Sequence, residues 1–136
     1  MSLQQVFYVS RAVTRYDTDS VQTILGQSRR NNQRQDVTGC LLFSGCYFAQ
    51  VLEGRQEAVE ASLERIGSDP RHVDVRVLVR RPIVLRAYSA WSMGYLHDLD
   101  LEDELAALLV DDAPDMRRVD QIMMRMAPDS VMGALQ

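Results

Sequence analysis

Residues 39–53 hold the feature that most narrows the choice of fold. Gly39-Cys-Leu-Leu-Phe-Ser44 and Tyr47-Phe-Ala-Gln-Val-Leu-Glu53 are apolar runs separated by Gly45-Cys46, the length and residue type of a two-residue hairpin turn. Strands joined that tightly pair antiparallel. A helical pattern flanks the hairpin on each side. Upstream, residues 19–31 place Val21, Ile24, Leu25 and Ser28 on one stripe, with Asp17, Thr18 and Asp19 as N-cap candidates. Downstream, residues 56–68 repeat Val59, Leu63 and Ile66 at helical spacing before Asp69-Pro70 ends the pattern.

The outer segments read as strands. Residues 3–12 (LQQVFYVSRA) form the first, and Val73, Val75, Val77 and Val79 alternate with Asp74, Arg76, Leu78 and Arg80 until Pro82 stops the pattern. A loop through Arg86 leads to Ala90-Trp-Ser-Met-Gly-Tyr95, where Trp91, Met93 and Tyr95 are expected to share a face. The order β-α-β-β-α-β-β is satisfied by an antiparallel-dominated sheet with both helices on one side, an α+β fold of the ferredoxin-like class. From Leu101 onward, ELAALLV and MRRVDQIMMRM read as two short helices, the second rich in Met.

A chain of 136 residues, 46% hydrophobic and 25% charged, fits one compact domain. No apolar run approaches the ~20 residues needed to cross a bilayer, and MSLQQVF has no signal-peptide character, so a cytoplasmic protein without a membrane partner is expected. All 15 cationic residues are Arg, which removes Schiff-base, pyridoxal-phosphate and P-loop lysine chemistry. Cys40, Cys46, His72 and His97 match no zinc or CxxC spacing, so reduced thiols and no metal are expected. Residues 1–96 carry 12 Arg against 9 acids, a balance of +3, and residues 97–136 carry 3 Arg against 10 acids, a balance of −7. An acidic end and so small a basic excess argue against nucleic acid as a partner, while a small anionic ligand stays compatible.

Polar side chains stand where apolar ones belong. Strand alternation puts Gln50 between Phe48 and Leu52, and Tyr8 on a face with Val6, Ser10 and Ala12, while Asn31 and Asn32 stand at the end of the first helix. A buried unpaired amide costs about 1–3 kcal/mol, so Gln50 needs partners. Each residue has an ordinary explanation: a core tyrosine with its hydroxyl at the edge, a helix cap, a glutamine bonded to neighbouring backbone. Together they surround an apolar gap lined by Ile24, Leu41, Ile66 and Met93. Such a gap suits a flat heteroaromatic ring, because an Asn amide matches an adjacent N–H and C=O in bidentate fashion, and isoalloxazine has that edge. Arg65, with Arg29 or Arg30, is placed to meet ribityl or phosphate oxygens, and Asp69 to accept from a ribose hydroxyl; solvated helix faces are the alternative for each Arg.

Several runs carry a resemblance. FYVSRA, ILGQSRRNN, DVTGCLLFSGCYFAQVLEG, ERIGSDPRH and RAYSAWSMG together resemble the BLUF family, blue-light sensors that bind FAD. The similarity covers about residues 3–96, and its most specific parts are NN-x₅-TG-x-LL, F-x-Q-x-LEG and W-S-M-G. It implies a flavin-binding domain over residues 1–97 and a C-terminal helical extension over 98–136 within the same compact unit. The cofactor implied is non-covalent FAD, with FMN left open. By the same resemblance Tyr8 is the light-driven electron and proton donor, and Gln50 bridges Tyr8 to flavin N5 and the C4 carbonyl. Asn32 holds the N3–H/C4=O edge, Asn31 lies toward C2 or the sugar chain, and Ile24 and Ile66 clamp the ring beside Ser28 and Leu41. Arg65 and Asp69 contact the ribityl-phosphate portion, and Trp91 and Met93 carry the signal. Asn31 stands where some members have His, and Tyr88 where Phe is commoner.

The implied function is photosensory, without substrate turnover, with a homo-oligomer and a separate downstream effector protein as expected partners. Met116, Met123, Met124 and Met126 are expected to offer an adaptable apolar contact surface. The extension's other reading is a helix pair that caps the open side of the sheet. Deleting residues 101–136 is expected to spare the photocycle. A colourless ferredoxin-like ligand binder or an acylphosphatase-like enzyme is the rival reading. For the latter, Arg11 and Arg15 lie near the first loop, but AVTRYDTDS has no glycine to shape a phosphate cradle. A flavin enzyme with turnover lacks any nicotinamide fingerprint or Cys–base pair here.

Overall fold

A computed structural model describes residues 2–14, 18–89 and 91–128. Asp17, named as a cap, Arg15 of the first loop, Ala90 and the end of the extension from residue 129 lie outside the described residues.

The elements run β1 (Leu3–Ala12), α1 (Thr18–Gln35), β2 (Thr38–Phe43), β3 (Tyr47–Arg55), α2 (Gln56–Gly67), β4 (His72–Ile83), β5 (Gly94–His97), α3 (Glu102–Val110) and α4 (Met116–Arg125). One five-stranded sheet forms in the order β4-β1-β3-β2-β5. The first four strands pair antiparallel, as two split β-α-β units require, and β5 adds to β2 in parallel. The fold is therefore α+β with the ferredoxin-like arrangement. The hairpin turn is Gly45-Cys46, closed by Ser44 N–H donating to Tyr47 O at 3.0 Å, with Gly45 at φ 116°. That backbone conformation favours glycine. Gly39 meets a different demand: a Cβ there would lie 1.9 Å from Val51 O.

Two apolar layers sandwich the sheet. On one face Tyr8, Leu41, Phe43, Phe48 and Leu52 meet Val21 and Leu25 of α1 and the partly buried Leu63 and Ile66 of α2. On the other, Phe7, Val9, Cys40, Leu42 and Val51 meet Leu105 and Leu108 of α3 and Val119 and Ile122 of α4. The extension thus covers the sheet. Met126 is fully buried and Met123 half-buried in that layer, so of the four methionines expected on a contact surface only Met116 and Met124 are exposed. Removing α3 and α4 would uncover the sheet face they cover, which agrees with the second reading of the extension, a helix pair capping the open side of the sheet.

Three local expectations also change. First, α1 continues to Gln35, so Asn31 and Asn32 sit inside the helix and neither is its cap. Second, the four β4 valines do not share a face. Register shifts set Val73 against Arg11 and Val79 against Phe7, but Val77 against Tyr8. Asp74, at φ 59°, lies within one of these irregular stretches. Third, β5 begins only at Gly94, so Trp91 precedes it and packs with the α3–α4 layer, while Met93 and Tyr95 join the α1–α2 layer.

Candidate functional site

Above the centre of the sheet, α1 and α2 stand apart and leave a cleft. Its outer part encloses about 390 Å³, bordered by Ser28, Asn31 and Asn32 of α1, Arg65 and Ile66 of α2, and Asp69. A narrower inner part of about 50 Å³ reaches Tyr8, Ile24, Leu41, Phe48 and Gln50. All ten residues singled out as cofactor contacts border this one space. A larger, open groove of about 750 Å³ between α3 and α4 is bordered by surface charges and Met124, and no buried polar group converges on it.

Strand register places the two polar groups on the cleft floor. Tyr8 and Gln50 are direct partners in the β1–β3 ladder, both almost fully buried, and the Tyr8 hydroxyl donates to Gln50 Oε1 at 2.5 Å. Burial, then the nearby Asp69 carboxylate, pushes the Tyr8 phenol well above its ordinary range, so it is a neutral donor. Gln50 Nε2 turns the other way, toward Met93 Sδ at 3.3 Å. A thioether is a weak acceptor, so this buried amide N–H₂ is under-satisfied where the cleft begins. Met93 shares the buried layer of Ile24, Leu41 and Ile66 and touches Gln50, but it borders neither part of the cleft, which it was expected to line.

Asn32 is buried, and its Nδ2 donates to Ser92 O at 2.7 Å. Among the described residues nothing donates to its Oδ1, which leaves that oxygen as an acceptor where Asn32 borders the cleft. Asn31 lies one position earlier along the helix and accepts from Arg34 Nη2 at 2.6 Å. Of the two alternative arginines, Arg30 borders the cleft, whereas Arg29 Nε donates to Met93 O at 3.0 Å and holds the start of β5. Among the described residues Arg65 makes a single polar side-chain contact, 3.4 Å to Ser62 Oγ. Asp69 is committed to Arg71, whose Nε and Nη2 reach its two oxygens at 2.9 and 2.5 Å. That hydrogen bond holds the Asp69 carboxyl below its usual range.

With Arg34 and Phe48, Arg71 and His72 are among the site residues that sequence reasoning missed. Both border the cleft, and His72 ties α2 to β1: Nε2 donates to Ile66 O at 2.6 Å, and Nδ1 lies 2.7 Å from Ser10 Oγ. A carbonyl can only accept, so the proton on Nε2 is fixed by that contact. The signal was Asp69-Pro70-Arg71-His72, a charged cluster right after the α2 stop. Arg30, Arg34, Arg65 and Arg71 against Asp69 leave the mouth cationic. Overall, the site offers a narrow slot, a phenol–amide pair on its floor, amides on one wall and cations at its mouth.

A family model described as BLUF, sensors of blue light using FAD, matches residues 3–94. The chain belongs to the BLUF family. Photoactivated adenylate cyclase subunit beta of Euglena gracilis is 34% identical over 93 residues, 68% of this chain and 11% of that protein. The blue light- and temperature-regulated antirepressor BluF of Escherichia coli is 40% identical over 55 residues, 40% of this chain and 14% of that protein. This BLUF chain therefore spans only about a ninth to a seventh of these curated relatives. Among solved structures, the dark state of the BLUF protein BlrB superposes with a TM-score of 0.68 at 31% identity, covering 96% of this chain and 90% of that one. The BlrP1 BLUF structure gives 0.69 at 28% identity, with 95% and 92% covered.

Proposed function

We propose that this chain is a blue-light photoreceptor that holds FAD non-covalently in the cleft between α1 and α2. The observation that carries the reading is the Tyr8–Gln50 pair: a neutral phenol bonded at 2.5 Å to an amide whose N–H₂, among the described residues, has only a thioether for a partner. A ring with adjacent acceptors and donors would complete what the slot leaves open, and the unused Asn32 Oδ1 provides an acceptor for its N–H edge. Ile24, Leu41 and Ile66 supply apolar faces, Ser28 and Asn31 flank them, and Arg65 with Asp69 meets the sugar-phosphate portion. The cationic mouth suits the extra phosphate of a dinucleotide, which favours FAD over FMN. The related Klebsiella pneumoniae BlrP1 has been solved with FMN.

Bound flavin supplies an absorber of blue light that is a strong oxidant when excited. Tyr8 is the residue placed to give up an electron, and an oxidised phenol is a strong acid. Its proton then leaves along the bond it already makes to Gln50 Oε1. When electron and proton return, Tyr8 is restored and Gln50 is left rotated or tautomerised, with its contact to Met93 altered. Tyr8 and Gln50 finish in their starting redox states, so the chain turns over no substrate. The altered Gln50 acts on Met93 and β5, and through them on the extension of residues 98–136, whose α3 and α4 pack against the sheet of the flavin domain of residues 1–97. A homo-oligomer or a separate effector protein receives the signal. Two measurements on purified protein test the reading: chromatography of the released chromophore, expected to give FAD, and absorption before and after blue light. A colourless protein would leave the ferredoxin-like ligand binder standing.

A further inference from the structure

Glu53 lies three residues beyond Gln50 on β3 and faces the opposite side of the sheet. It is fully buried, and its carboxylate accepts from Gln5 Nε2 at 2.8 Å and from the backbone N–H of Tyr88 at 2.9 Å. Tyr88 is held at its other polar groups too: its carbonyl accepts from Trp91 N–H at 3.0 Å, and its buried hydroxyl donates to Met126 O at 2.9 Å. Met126 is the C-cap of α4, where helix carbonyls have no intrahelical partner.

The residues just after Tyr88 are held from the cleft side. Gly39 N–H donates to Trp91 O at 3.2 Å, Asn32 Nδ2 to Ser92 O at 2.7 Å, Arg29 Nε to Met93 O at 3.0 Å and Gln50 Nε2 to Met93 Sδ at 3.3 Å. Trp91 rests on Gly94, where a Cβ would come within 2.4 Å of its ring, and its ring centroid is 5.9 Å from that of Tyr88. Tyr88 therefore touches α4, while Trp91, Ser92 and Met93, a few residues on and tied to it by the Trp91 N–H bond, touch the cleft side. A phenylalanine at position 88 would fill the same space and leave Met126 O unbonded.

We propose that the Tyr88 hydroxyl is a latch, a positioning group that holds the last turn of α4 to the segment contacting Gln50 and passes a change at Gln50 to that helix. This rests on the sensor reading above. A shift of Met93 displaces the Trp91 turn, the turn carries Tyr88, and the bond to Met126 O either follows or breaks.

Hydrogen exchange of the flavin-loaded full chain, dark against blue-lit, tests the latch. In the wild type, light should speed exchange across Met123–Ala127. Tyr88→Phe should keep the light-induced red shift, exchange fast at Met123–Ala127 already in the dark, and lose the light-minus-dark difference there. A Tyr88→Phe protein whose α4 responds as the wild type does overturns the latch. So does a wild type that red-shifts while its α4 exchange stays unchanged, and this second result decides the matter even if Tyr88→Phe fails to fold. A wild type with no red shift at all overturns the sensor reading and the latch with it.

Discussion

Tyr8 and Gln50 face each other across the β1–β3 ladder, joined by a 2.5 Å hydrogen bond from phenol to amide oxygen. Replacing Gln50 by Ala removes that acceptor and leaves a buried hydroxyl unpaired, a cost of about 1–3 kcal/mol. Gln50→Ala is expected to fold with a lowered Tm, to keep its flavin, and to lose the reversible red shift under blue light. Absorption spectroscopy reads the shift, and a normal shift in this variant would remove Gln50 from the mechanism.

Two glycines should respond oppositely to the same substitution. Gly39→Ala drives a methyl into the Val51 carbonyl at 1.9 Å, backbone against backbone inside the central hairpin, and should cost about 4 kcal/mol or more. Gly67→Ala at the end of α2 meets nothing within 4 Å and should be neutral or stabilising by up to ~1 kcal/mol. Urea unfolding of both variants checks the contrast.

Burial, foremost, raises the phenol pKa of Tyr8, Tyr88 and Tyr95. The folded chain therefore keeps protons that the unfolded chain gives up above about pH 10, so stability is whole below that pH and falls as pH rises through it. Asp69 works at the other end. Its depressed pKa, due first to the Arg71 hydrogen bond, contributes stability above about pH 4 that is lost on acidification. The urea midpoint should decline in alkali together with the appearance of tyrosinate absorbance. Titration of these three phenols well before unfolding would contradict the burial argument.

Deleting residues 101–136 strips Leu105, Leu108, Val119, Ile122 and Met126 from Phe7, Val9, Leu42 and Val51. The truncated chain is expected to aggregate or to melt far below the full chain, as size-exclusion chromatography and thermal melts would show. A monomeric truncation with an unchanged melt would mean that the cover contributes little.

The sequence makes the sandwich legible wherever local chemistry settles it. Gly45-Cys46 reveals the hairpin, and the hairpin's alternation places Gln50 on the α1–α2 face, from which the slot could be assembled before its geometry was known. What stayed hidden depends on distant contacts. The split of the β4 valines comes from irregular pairing with β1, which strict period-two reading cannot contain. Trp91 and Met93 part company because β5 starts later than the apolar run suggests, and nothing local distinguishes the two readings. Asn31 and Asn32 read as a helix end because amides are common there, yet α1 continues past them while Asn32 reaches Ser92 across sixty residues of sequence. Arg71 and His72 needed the fold of the β4 start to bring them to the cleft.

Light-minus-dark absorption of flavin-loaded wild-type and Tyr8→Phe protein, measured side by side, tests the central claim most directly. The wild type should show a reversible red shift of its visible band under blue light without added reductant, and Tyr8→Phe should hold the same flavin and show none. An equal, reversible shift in both proteins would contradict the role given to the phenol–amide pair.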